Sequence, residues 1–110
     1  VLLKNWNSDL VFNDLTTGDN NIAIGHQSQF IVSTGSSNIG IGSQTLYNNT
    51  TGDTNTAVGK SALYSNTTGN YSTAVGNDSQ KNINSTGYNN SKSALNTSLG
   101  YQALRGNTNN

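Results

Sequence analysis

The sequence predicts an all-β fold, a parallel β-roll or β-helix solenoid built from 17-residue coils. Three observations lead there. The motif Ile22-Ala23-Ile24-Gly25 returns as Ile39-Gly40-Ile41-Gly42, Thr56-Ala57-Val58-Gly59 and Thr73-Ala74-Val75-Gly76, its last glycines 17 residues apart each time. A second glycine series, Gly18, Gly35, Gly52 and Gly69, keeps the same step, and Gly87 follows one residue late. No segment has the 3.6 periodicity or the length of a helix. Self-similarity at a fixed period is the signature of a solenoid, in which each unit buries its apolar face only against its neighbours.

The repeats account for residues 10–110, and residues 1–9 read as an N-terminal cap or connection. The series opens on a degenerate half copy, Leu10-Val11-Phe12-Asn13, which echoes Thr45-Leu46-Tyr47-Asn48. It closes on Thr97-Ser98-Leu99-Gly100-Tyr101-Gln102-Ala103-Leu104, after about six extra residues near positions 88–93. Within each copy the residue before the motif glycine is aliphatic: Ile24, Ile41, Val58, Val75 and Leu99. Two positions earlier stands a β-branched residue, and between them a small one: Ala23, Gly40, Ala57, Ala74 or Ser98. Large–small–large alternation is strand periodicity. By hydrophobicity the aliphatic column is expected to fill the core and the small column to form an outer face open to close approach. The motif glycine then allows a bend that a Cβ would obstruct. A second short strand is expected around Thr45-Leu46-Tyr47 and Ala62-Leu63-Tyr64. An Asn-Thr-Thr-Gly turn follows, built from residues that tolerate left-handed backbone.

Composition narrows the function classes. Hydrophobic residues make up 31% and charged residues 9%, with zero net charge and neither Pro nor Cys. Disordered chains of such low hydrophobicity are usually highly charged or rich in Pro and Glu, so another source of order is required. Scattered Lys and Arg offer no electrostatic footprint for nucleic acid or an anionic membrane. No apolar run approaches the roughly 20 residues that would span a bilayer. Without Cys there is no disulfide framework or thiolate metal site. The absence of an initiating Met and of a signal peptide is read as a mature product or a segment of something longer. Because each coil holds few apolar side chains, further stabilisation is expected from association through the small-residue face, most simply as a homotrimer.

The motifs Asn55-Thr56-Ala57-Val58-Gly59 and Leu99-Gly100-Tyr101-Gln102-Ala103-Leu104 carry a family resemblance. They resemble the N-x-A-[V/I]-G-x-x-[A/S] repeats of trimeric autotransporter adhesin heads. They are still more similar to the N-T-A-V-G-Y-Q-A-L-x-x-N-T-T-G repeats of phage tail fibres and related surface fibres. The resemblance implies left-handed parallel β-rolls packed three about an axis, as a protease-resistant spacer or adhesive head on a virion or cell surface. The period departs from the family: it is 17 here, against the 14 typical of the adhesin heads. No coiled-coil stalk, membrane anchor or self-cleaving chaperone domain is recognisable in these residues.

Chemically suggestive residues have plainer readings. His26 occupies a variable position shared with Ser43, Lys60, Asn77 and Tyr101, and no Cys, second His or Glu exists to complete a metal site or triad. Asp19 and Asp53 share a column with Ser36, Asn70 and Tyr88. A calcium ladder would need a carboxylate in every copy, so turn capping is favoured. Tyr47, Tyr64 and Tyr101 raise carbohydrate stacking, although only the first two share a column, with Phe30, Lys81 and Arg105; half-buried packing is the alternative. Gly40-x-Gly42 lacks the third glycine and following helix of a nucleotide loop. Asn49, Asn66, Asn70, Asn77, Asn84 and Asn96 head N-x-[S/T] sequons, as expected by chance in so Asn-rich a chain. Thr17, Thr34, Thr51, Thr68 and Thr86 form a threonine column. Ice-binding solenoids present two columns on a flat strand face, whereas this one lies beside a turn, so a coil-to-coil hydrogen-bonding ladder is favoured.

The expectation is therefore a non-enzymatic, extracellular structural or adhesive fibre module without catalytic, cofactor or metal residues. Its partners would be further copies of itself and a host-surface glycan or protein, with no nucleic acid and no membrane insertion. A self-assembling filament subunit and an ice-binding solenoid are the alternatives.

Overall fold

A computed structural model describes residues 17–83 and 95–105. They form one five-stranded, all-parallel sheet in the order β1 (Ile22–Ile24), β2 (Ile39–Ile41), β3 (Thr56–Val58), β4 (Thr73–Val75) and β5 (Thr97–Leu99). Register is one-to-one with no slip: Ala23 pairs with Gly40, Gly40 with Ala57, Ala57 with Ala74 and Ala74 with Ser98. The first four strands step by 17 residues. Thr73 pairs with Thr97, a step of 24, so seven residues are inserted rather than six. The insertion, the N-terminal half copy, Gly87, Thr86 and the expected cap at 1–9 lie outside the described residues.

Backbone hydrogen bonds run from coil to coil along each strand and beyond it. Ile22 N–H donates to Asn38 O at 2.8 Å and Ile39 N–H to Asn55 O at 2.8 Å, while Gly59 N–H donates to Ile41 O and Gly76 N–H to Val58 O, both at 2.8 Å. The expected second strand is absent, and the structure corrects it to a tight arc. Gln27, Gln29, Gln44, Leu46, Ser61 and Leu63 have φ between 50 and 59° or within a degree of that range. Left-handed residues alternating with ordinary ones curl the chain too sharply for a strand. They still aim its amides at the next coil: Gln29 N–H donates to Thr45 O at 2.8 Å, and Leu46 N–H to Ala62 O at 3.0 Å. An L-residue in this conformation costs about 1–2 kcal/mol. The inter-coil bonds gained by the whole arc offset that cost.

The interior inverts the expected core. Side chains alternate across a strand, so the middle residue of each triplet faces opposite to its neighbours. Ala23, Gly40, Ala57, Ala74 and Ser98 are the buried ones. Ile24, Ile41 and Leu99 are exposed, at 43, 39 and 80% of their surface, and Val58 and Val75 are half-exposed. The reason is width. A Cβ placed on Gly40 would lie 2.7 Å from Ser28 Oγ and 2.8 Å from Thr45 Oγ1. Nothing as large as isoleucine fits between strand and arc. The apolar filling comes instead from Leu46, Leu63 and Ala62 of the arc, together with Ala57 and Ala74.

Candidate functional surface

Ordered polar ladders supply the stability that composition left unexplained. Asn21, Asn38 and Asn55 stand immediately before β1, β2 and β3 and are buried. Asn21 Oδ1 accepts from the Asn38 backbone N–H at 2.9 Å and its Nδ2 at 3.2 Å. Asn38 Oδ1 accepts the same pair from Asn55, and Asn55 Oδ1 accepts from Ser72 N–H at 2.9 Å. Each Nδ2 also donates to a carbonyl of the turn-glycine column: Asn21 to Gly35, Asn38 to Gly52 and Asn55 to Gly69, at 2.7–2.8 Å. A shorter ladder lies beside it, where Asn66 Nδ2 donates to Asn49 Oδ1 at 3.0 Å.

These ladders explain the second glycine series. Gly18, Gly35, Gly52 and Gly69 are buried, and none of them has a positive φ. Gly35 is needed for close approach: an added Cβ would stand 2.5 Å from Gly52 O and 3.1 Å from Asn49 Nδ2. Gly59 differs, with φ 117° and an added Cβ 2.7 Å from Gly76 C.

Sequence reasoning gives the buried asparagines no role, although the 17-residue recurrence of Asn21, Asn38 and Asn55 is a signal for them. Low hydrophobicity alone does not show that an amide is inside. Burial of Asn49 and Asn66, with amides engaged in the ladder, also removes them as glycan acceptors in the folded chain.

Asp53 does cap a turn: its Oδ1 accepts from Ser36 N–H at 2.7 Å, one coil earlier, and Asn70 Oδ1 repeats the contact with Asp53 N–H. Asp19 N–H in turn donates to Ser36 Oγ at 3.1 Å. Among the described residues no group of three His, Cys, Asp or Glu side chains could hold a metal ion. His26 is exposed on the arc, as its variable column suggested. Thr50 Oγ1 donates to Thr67 O, while Thr17, Thr34, Thr51 and Thr68 lie beside the buried turn glycines on the outside of the coil.

Phe30, Tyr47 and Tyr64 form a continuous stack, with ring centroids 5.1 and 5.0 Å apart and interplanar angles of 14 and 13°. Stacking turns the inner ring faces toward one another, so a sugar ring would meet edges rather than faces; packing is the reading that fits. Lys81 continues the column and pairs with Asp78 Oδ1 at 3.2 Å. Tyr101, outside the column, is exposed.

The strand side presents two outward columns. One is Ile22, Ile39, Thr56, Thr73 and Thr97; the other is Ile24, Ile41, Val58, Val75 and Leu99. No charged residue interrupts either. This is the surface that the small column was expected to form, and the small residues, being interior, are unavailable to any partner.

No family model, curated protein or solved structure matches the chain. Among the described residues no helix is long and apolar enough to cross a membrane.

Proposed function

We propose that the chain is a non-catalytic structural or adhesive module of an extracellular fibre, a stiff spacer on a virion or cell surface. The supporting observation is the continuity of bonding between coils. Strand, arc, asparagine ladder and capping turn each tie one coil to the next, so a load along the stack is shared by many parallel bonds. Of the side chains that invited chemical readings, Asp53 caps a turn and Tyr47 and Tyr64 pack in the stack with Phe30.

Assembly as a homotrimer belongs to the same proposal. With the small residues enclosed, copies would meet on another part of the surface. The half-buried Phe30–Tyr47–Tyr64 flank is assigned to that contact, because aromatic side chains contribute most area to protein interfaces at little entropic cost. Host-surface glycan or protein would then be met by exposed turn residues.

Light scattering on a sizing column, compared with 11.6 kDa per chain, tests this. A particle of about three chains supports the trimeric fibre. A monomer overturns trimeric assembly. A large particle of heterogeneous length favours a self-assembling filament instead.

A further inference from the structure

We infer that the two-column strand face binds crystalline water. The inference is separate from chain assembly, which the aromatic flank serves on another side of the coil.

Regular spacing is the first argument. The one-to-one register stacks successive strands ~4.8 Å apart, and residues two positions apart along a strand stand ~6.7 Å apart, so the outward side chains occupy a rectangular lattice. The repeat is uniform where it can be measured. The two steps of the aromatic stack agree to 0.1 Å and one degree. The glycines after β1, β2 and β3 approach the next coil alike, an added Cβ lying 2.7, 2.9 and 2.7 Å from the next glycine's carbonyl carbon. Buried asparagine ladders hold that spacing before any ligand arrives, which removes the ordering cost that weakens binding by flexible surfaces.

Chemical character is the second argument. Thr56, Thr73 and Thr97 place a hydroxyl in successive coils, each able to donate one hydrogen bond to water and accept two. Beside them Val58, Val75 and Leu99 offer only methyl groups. Such a surface anchors water at hydroxyl intervals and leaves the water between bonded chiefly to itself, which is the arrangement inside a water crystal. A charged side chain would instead orient a private hydration shell, and the face has none.

Size is the third. Five three-residue strands expose on the order of 250 Å², from ~4.8 Å per strand and ~3.3 Å per residue. A protein partner of standard affinity needs roughly 800 Å² from each side. An uncharged lattice patch of this area is too small for a stable protein interface. A periodic solid, which many copies can occupy side by side, sets no such minimum.

The test is freezing-point osmometry with microscopy of a single ice crystal in the purified chain. A gap between melting and freezing that grows with concentration, together with faceted crystals, is expected. The double variant Thr56→Lys/Thr73→Lys should lose both while keeping the wild-type melting curve, since both side chains point outward; Val75→Lys serves if the double variant does not fold. A wild-type solution without gap or faceting overturns the inference and leaves the fibre reading to stand or fall on particle mass. A gap that survives in folded lysine variants overturns the assignment to this face.

Discussion

Asn55 bonds to the coils on both sides of its own. It donates to Asn38 Oδ1 below, and in the coil above it accepts from Ser72 N–H and donates to Gly69 O. Replacing it with alanine strands the Ser72 amide in a buried position, because Ser72 is 1% exposed. An unmade bond of this kind costs about 1–3 kcal/mol, so Asn55→Ala should lower the urea midpoint accordingly with an unchanged slope. Thr54, one position away, gives the opposite expectation. It is exposed and holds φ 58°, where a β-branched residue is strained, while Asn20 occupies the same repeat position at φ 59°. Thr54→Asn should stabilise by about 0.5–1 kcal/mol, since asparagine bears the left-handed conformation more easily. A thermal melt shifted upward would show it; a shift downward would mean that the threonine side chain makes a compensating contact.

The strand triplet is where reading by hydrophobicity and the packed structure part company. Period-2 alternation in Thr56-Ala57-Val58 says that one residue faces away from the other two, and that much was legible. It does not say which face is inward. Choosing the bulkier residues for the interior assumes a core wide enough to hold them, whereas strand and arc here approach to alanine width. The expected effects of substitution are therefore exchanged. Ala57→Leu should prevent folding or cost more than the usual 1–3 kcal/mol of an overpacked core, because Ala57 is fully buried in the cluster with Leu46, Ala62, Leu63 and Ala74. Val58→Lys should alter stability by less than about 1 kcal/mol, as expected of a largely outward side chain. Circular dichroism with a urea titration on each variant decides between the two orientations.

For the whole molecule the 17-residue step is the unit of stability, as in any array where each repeat touches only its neighbours. Deleting residues 52–68, one whole period, joins Thr51 to Gly69 and brings Asn38 below Ser72 in the place of Asn55. The shortened chain should fold with the same spectrum and a lower melting temperature. Deleting residues 52–67 removes one residue fewer, displaces every ladder by one position and turns outward side chains in. That chain should not fold, because a one-residue slip exchanges the faces of all later strands. Equal stability of the two deletions would refute the ladder account.

Period, the position of the first strand in each coil, the recurrence of the glycines and the capping role of Asp53 could be read from the sequence because each depends on spacing and on what the backbone at one position tolerates. Tertiary structure decided the rest. Whether Ala57 or Val58 faces inward depends on the distance between strand and arc, which at the matching Gly40 is limited by the side chains of Ser28, one coil earlier, and Thr45. The burial of Asn38 depends on having a coil above and below to satisfy all its bonds. The left-handed arc at Leu46 and Leu63 defeats local propensity, since neither residue favours that conformation alone. Local sequence carries period and turn chemistry; orientation and polar burial arise only when successive coils supply each other's hydrogen-bond partners and close the space between them.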